Sequence, residues 1–279
     1  MRIFFSAVKH REIFDYIYAQ GGRSFLFSYE DPKGATEMVL YAGRKKEELT
    51  ILIDSGAFTA WNSGLKVSID SYRLFREGLN FNLGLEGITH KVHYINLDVI
   101  PHKKGTTPTK QQTLDACKKG VENYYWLFDR GMHTLHTFHQ FDPWEYLEII
   151  LEHCNTDNYI CISPANDQSL EARLEFMRLC YRIIPEGVRV HVLGLTARES
   201  LETYPVYSAD SSTWLNPSKY GELFDYHRLL KINKEQGLTR HNARYLDHTG
   251  HNKYAIKYFV NLEKHATNLW KLRGLNWTN

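Results

Sequence analysis

Cysteine is scarce: there are four in 279 residues, Cys117, Cys154, Cys161 and Cys180, and none stands in a CxxC pair. That spacing excludes a disulfide framework and argues against a cysteine-built zinc site, which leaves buried thiols of a reducing compartment. Long apolar runs are missing too. No stretch approaches the roughly 18 apolar residues of a membrane span, and the run opening Met1-Arg2-Ile3-Phe4-Phe5-Ser6 is too short for a secretory signal. A cytoplasmic protein without a membrane partner is expected. No charge of one sign dominates, the net being +2, and no internal repeat or low-complexity linker divides the chain.

What is present suits one large domain, or a barrel with an appendage: 43% of residues are hydrophobic and 24% charged, enough to form a sizeable core. The charge is unevenly placed. Residues 211–279 carry 11 Lys and Arg against 5 Asp and Glu, whereas the first 210 carry 23 against 27. A basic tail of this kind suits a polyanionic partner, and equally an ordinary solvated helical face. The 18 Tyr, 14 Phe and 6 Trp can stack bases but mostly fill cores.

Strand-like runs fall at residues 2–7, 24–28, 50–54, 92–98, 133–139, 159–163, 188–194 and 206–210. Helix-like segments at 10–19, 69–79, 109–129, 143–153, 169–183 and 197–203 separate most of them, with start signals at Thr109, Asp142-Pro143 and Ser169. Alternation at this spacing predicts an α/β fold, a (β/α)8 TIM-type barrel, with an open doubly wound sheet as the alternative. The second unit is the irregular one, because Asp31-Pro32-Lys33-Gly34 suggests a hairpin in place of a helix. The barrel is expected over residues 1–215. A basic helical extension packed on it is expected over 216–279, with helices at 220–234 and 253–272 flanking a histidine-rich stretch.

Two apolar runs end on an aspartate followed by small residues: Ile51-Leu52-Ile53-Asp54-Ser55-Gly56-Ala57-Phe58 and Val206-Tyr207-Ser208-Ala209-Asp210-Ser211. In a β/α barrel the strand C-terminal ends converge on one mouth. Asp54, Asp98, His139, Gln140, Asp167 and Asp210 are therefore the candidates, although Asp98 could cap the turn before Pro101. Asp167 lies in a loop that reads as a helix cap and is set aside. His133, His136 and His139 alternate faces on a strand and cannot share one metal ion. His241, His248 and His251 lack cysteine partners, so bound zinc is disfavoured and no metal or other cofactor is assigned.

Asp54-Ser55-Gly56-Ala57-Phe58 after a strand resembles the Asp-Ser-Gly-Gly-(Phe/Tyr)-Gln signature of tRNA-guanine transglycosylases. Leu193-Gly194-Leu195 and Ser208-Ala209-Asp210-Ser211 follow at similar spacing. The chain looks most like the short phage-type relatives that insert 7-deazaguanines into DNA. The resemblance spans residues 1–215 and implies a β/α barrel in which an aspartate attacks a nucleoside C1′ and displaces guanine. By that likeness Asp210 is the nucleophile and Asp54 the general acid/base. Asp98 binds the edge of the base, Gln140 or His139 does so after the fifth strand, and Gly194 brings backbone close to the base. Ser55, Gly56 and Phe58 belong to the same binding motif. The Cys-x-Cys-x-x-Cys zinc subdomain of the tRNA enzymes is not found here, which favours DNA as the polymer and leaves tRNA as the alternative.

The chemistry is consistent with those residue types, because breaking an N-glycosidic bond requires a carboxylate facing C1′ and a proton donor facing the departing purine. Phe58 and Trp61 could cover the base or fill the core. A guanine in duplex DNA must be flipped out, with its phosphates held by basic residues, here Lys219, Arg228, Lys231, Arg240 and Arg244. A non-catalytic nucleic-acid-binding barrel and an N-glycoside hydrolase are the rival classes.

Overall fold

Short apolar runs bounded by turn residues form the strands of one parallel sheet in the computed structural model. The structure describes residues 1–63, 67–101, 106, 108–155, 157–216, 222–224, 229–231 and 248–277. Eight strands alternate with helices: β1 (Arg2–Ser6), α1 (Arg11–Ala19), β2 (Ser24–Ser28), α2 (Pro32–Gly43), β3 (Thr50–Asp54), α3 (Ala57–Asn62), α4 (Ile69–Leu85) and β4 (Lys91–Tyr94). Then follow α5 (Lys110–Phe128), β5 (Thr137–His139), α6 (Trp144–His153), β6 (Tyr159–Ser163), α7 (Leu170–Ile183), β7 (Arg189–Val192), α8 (Arg198–Thr203) and β8 (Ser208–Ser211).

The sheet order is β4-β3-β2-β1-β8-β7-β6-β5, with β1 paired in parallel to both β2 and β8. Sequential order on both sides of β1 rules out a doubly wound sheet, whose order reverses at a switch point. The sheet curls into a barrel-like shape that no ladder closes among the described residues. Its edges β4 and β5 meet, among the described residues, at one parallel bridge, Ile95 with Leu135. The expected strand at 92–98 stops at Tyr94 for a visible reason. Tyr72 Oη donates to the Ile95 carbonyl at 2.7 Å and Asn123 Nδ2 to the Leu97 carbonyl at 2.8 Å. Side chains from α4 and α5 thus take the acceptors that a neighbouring strand would have used.

Period two sorts each strand between two cores. Phe4, Leu26, Leu52, Ile95, Leu135, Cys161 and Tyr207 meet inside the curl, while Ile3, Phe5, Phe25, Ile51, Ile53, Val190 and Ala209 face the helices.

The second unit corrects the sequence reading, since Asp31-Pro32 starts α2 and not a hairpin. Asp31 Oδ1 accepts the Gly34 N–H at 3.0 Å, and proline occupies the first helical position, where its missing N–H costs nothing. The helix expected at 220–234 is also corrected. Its described residues form two antiparallel strands, β9 (Glu222–Phe224) and β10 (Leu229–Lys231).

The last helix, α9 (His248–Leu272), packs on β1 and against both α1 and α8. It occupies the place of the helix that follows an eighth strand. Ala255, Ile256, Phe259, Val260, Leu262 and Ala266 are buried there, and Trp270 Nε1 donates to the Leu201 carbonyl at 2.7 Å. At the opposite end of the barrel from the strand C-termini, Trp277 packs edge-on against Tyr207 with ring centroids 5.4 Å apart.

Candidate active site at the strand C-terminal ends

Asp54 is the last residue of β3 and two positions beyond inward-facing Leu52, so its carboxylate points into the mouth. Ser28, its register partner on β2, donates to Asp54 Oδ2 at 3.0 Å, and the Gly56 N–H donates to the same oxygen at 3.1 Å. Gly56 can do so because it turns with φ +74°. A Cβ there would lie 2.8 Å from the Glu30 backbone nitrogen, so only glycine fits under the β2–α2 loop. Burial pushes the Asp54 carboxyl up to about 6, with the charges of Asp98 and Asp210 adding to it against the two hydrogen bonds.

Asp98 sits beyond β4 on the segment pinned by Tyr72 and Asn123. Its Oδ2 lies 2.8 Å from His139 Nε2, and Ser55 Oγ donates to its Oδ1 at 3.3 Å. Burial opposes the charge on Asp98, yet the His139 partner prevails and holds the carboxyl below its usual range. His139 closes β5 and has the converse balance. Burial lowers it, but Asp98 and Asp142 raise it to about 9, so it is an imidazolium at neutral pH.

Asp210 lies on β8, level with Phe4 of β1, and is 8% exposed. Its Oδ1 accepts the Gly194 N–H at 2.9 Å. Gly194 has φ +64°, and a Cβ on it would come 3.1 Å from Asn166 Oδ1. Its carbonyl accepts from Arg173 Nη2 at 2.8 Å, so the peptide groups on both sides of Gly194 are held.

Asp54, Ser55, Gly56, Asp98, His139, Gly194 and Asp210 therefore gather at one end of the sheet. Gln140 does not present its amide there: Oε1 accepts the Ala165 N–H at 2.8 Å and Nε2 donates to the Ala172 carbonyl at 3.3 Å. Of that pair His139 is the residue beside Asp98. Asp167 is exposed in its loop. Phe58 and Trp61 belong to α3, Lys231 ends β10 opposite Glu222, and Lys219, Arg228, Arg240 and Arg244 lie outside the described residues.

Of His133, His136 and His139 only His139 lies within a strand, β5. His133 is exposed, and His136 faces α5 with Nδ1 2.8 Å from Asn96 Nδ2. Burial drives His136 down to about 4, so it is neutral. Among the described residues no group of three His, Cys, Asp or Glu is placed to hold a metal ion, and no helix is long and apolar enough to cross a membrane. His241 lies outside the described residues, while His248 and His251 fall in the first turns of α9.

Behind His139 a cavity of about 20 Å³ lies between Asp98, Cys117, His136, Asp142 and Tyr146. That is room for a single water and not for a base.

Sequence reasoning missed Ser28, Arg173 and His191. Ser28 was legible only through register with Asp54. Arg173 reads as an ordinary charged helix residue, and His191 as one inward position of a β-strand.

Two carboxylates shifted in opposite directions, a third that accepts a backbone N–H, and a histidine raised by its carboxylate neighbours make up a site suited to bond cleavage with proton transfer. Compared with the models of known families and with curated proteins, the chain matches none.

Proposed function

We propose that the protein is a guanine transglycosylase that exchanges guanine in DNA for a 7-deazaguanine such as 7-cyano-7-deazaguanine, on a complete (β/α)8 barrel of the kind the sequence motifs resemble. The observation that carries this reading is the split between acids at one mouth: Asp54 is raised to about 6 while Asp98 is lowered. Such a divergence separates a proton donor from a group that stays ionised.

Asp210 Oδ2 attacks C1′ as the bond to the purine nitrogen breaks, and the electron pair left on the base takes the Asp54 proton. The sugar is held as an aspartyl ester, as in retaining glycosidases. The incoming base then attacks C1′, the ester electrons return to Asp210, and Asp54 recovers a proton from the base. Asp98, kept anionic by His139, accepts N–H groups from the purine edge. The polymer strand lies over the mouth with its guanine flipped out. The basic tail, with Lys219, Arg228, Lys231, Arg240 and Arg244, supplies counter-charge to its phosphates. DNA is preferred to tRNA because residues 181–279 contain no cysteine with which to build the zinc subdomain of the tRNA enzymes.

The test offers DNA and tRNA in parallel, with labelled guanine or labelled deazaguanine, to the protein and to Asp210→Ala. Label entering DNA, a denaturation-stable protein–DNA adduct, and loss of both in the folded variant are expected. Full exchange by Asp210→Ala overturns the assignment. Label entering tRNA alone reassigns the polymer, and abasic sites formed without added base point to a hydrolase.

A further inference from the structure

Behind Asp210, away from the mouth, three buried polar side chains form a line for which the exchange chemistry has so far given no role. Tyr159 Oη lies 2.6 Å from Ser208 Oγ, which lies 2.7 Å from His191 Nδ1, and His191 Nε2 stands 3.4 Å from Asp210 Oδ1. His191 and Ser208 have no exposed surface and Tyr159 only 2%. These residues come from β6, β7 and β8, and Phe4 of β1 meets the imidazole edge-on with centroids 5.5 Å apart.

The direction of the hydrogen bonds follows from the two ends of the line. A proton on His191 Nδ1 would point at Ser208 and turn the Nε2 lone pair toward a carboxylate, setting two acceptors against each other in a dry core. With the proton on Nε2, Ser208 donates to Nδ1, Tyr159 donates to Ser208, and every donor faces an acceptor. Nε2 nevertheless makes no hydrogen bond in the structure, and at 3.4 Å its contact with Asp210 is longer than a good one. A buried N–H left one short step from a carboxylate oxygen gains from any movement that closes the gap. Oδ1 already accepts from Gly194, and Oδ2 has no partner among the described residues. Among the described residues the carboxylate is thus held by one oxygen only.

We propose that His191 is a positioning residue whose Nε2–H, its tautomer fixed by Ser208 and Tyr159, stabilises the Asp210 carboxylate as the sugar leaves it. The inference rests on the base-exchange reading. In the second half of the exchange a nitrogen of the incoming base bonds to C1′, and the C1′–Oδ2 bond breaks. Its electron pair returns to Asp210, and the proton of the base passes to Asp54. Negative charge reappears on the aspartate in this step, so a donor to Oδ1 lowers its barrier. In the first half the same charge is being lost, and the donor gives no such help.

Removing the donor should therefore slow release more than attack. With guanine-containing DNA and excess 7-cyano-7-deazaguanine, His191→Leu is expected to lower kcat roughly tenfold, the scale of one hydrogen bond to a charged group. The share of protein trapped as adduct should rise. His191→Gln, whose amide can donate to the same oxygen, should recover most of the rate. Tyr159→Phe keeps the shape and should give a smaller change in the same direction.

A merely structural role would lower exchange and adduct together and would not be rescued by glutamine. Either result in folded variants overturns the assignment to His191, and if His191→Leu does not fold, Tyr159→Phe decides alone. Failure of the unaltered protein to form an adduct with DNA or tRNA removes the base-exchange reading, and this inference with it. That outcome is distinct from a failure confined to the variants.

Discussion

His139 Nε2 and Asp98 Oδ2 stand 2.8 Å apart where β5 ends and the segment after β4 bends away. This pair joins the two edges of the sheet near the bridge between Ile95 and Leu135, so it contributes to stability as well as to site charge. His139 is raised to about 9 in the folded chain, against about 6.5 when unfolded. Its contribution is complete below the unfolded value and is lost as pH rises through about 9. Asp98 is lowered, so its share is present above the unfolded carboxylate value and is lost as pH falls through the folded one. Urea unfolding from pH 6 to 10 should show a loss of stability near pH 9 that His139→Gln lacks. Identical profiles for the two proteins would disprove the pairing.

Asp54 has the opposite sign. Its folded pKa of about 6 lies above the ordinary 3.8, so the folded chain binds the proton more tightly and ionisation costs stability as pH rises between those values. The cost is no more than about 3 kcal/mol, less where the mouth admits water. Asp54→Asn keeps an acceptor for Ser28 and Gly56 but cannot ionise. Its melting temperature should exceed that of the unaltered protein at pH 8, the two should converge near pH 4, and base exchange should be lost. A lower melting temperature at pH 8 would count against a strained carboxylate.

The two turn glycines should differ in cost. At Gly56 an added Cβ meets the Glu30 backbone nitrogen at 2.8 Å, and at Gly194 it meets the Asn166 side chain at 3.1 Å. Backbone yields less than a side chain, although both positions have positive φ. Gly56→Ala should destabilise by about 3 kcal/mol and Gly194→Ala by about 1–2 kcal/mol. The second should still slow exchange, because the displaced N–H is the one held by Asp210. Chemical denaturation and single-turnover rates on both variants test the order.

Phe259 of α9 is 3% exposed and meets Phe5 of β1 edge-on at 6.4 Å. If α9 completes the ring of helices, Phe259→Ala should cost about 3–5 kcal/mol in a single cooperative transition. A separate early transition confined to the C-terminal residues would instead mark an appendage.

The strands at 24–28, 50–54 and 159–163 were legible residue for residue, and the helix expected at 109–129 runs over Lys110–Phe128 with Thr109 and Asp129 as its caps, because burial on both faces and a capping box leave local signatures. The Asp-Pro start of α2 carried a cap signal that turn-forming residues masked. The run at 92–98 looked like a strand to its end, yet Tyr72 and Asn123, distant in sequence, took its carbonyls.

For the site, the chain by itself determined that Asp54 and Asp210 end inward-facing strand positions, since alternation and small residues after an apolar run are local properties. Only the folded sheet decided the rest: that Ser28 lies beside Asp54, that His139 faces Asp98, that Gln140 turns to the loop after β6 and the first turn of α7, and that His191 stands behind Asp210. Each of these depends on register between strands far apart in sequence, and hydrogen bonding and burial fix that register only once the whole sheet has curled.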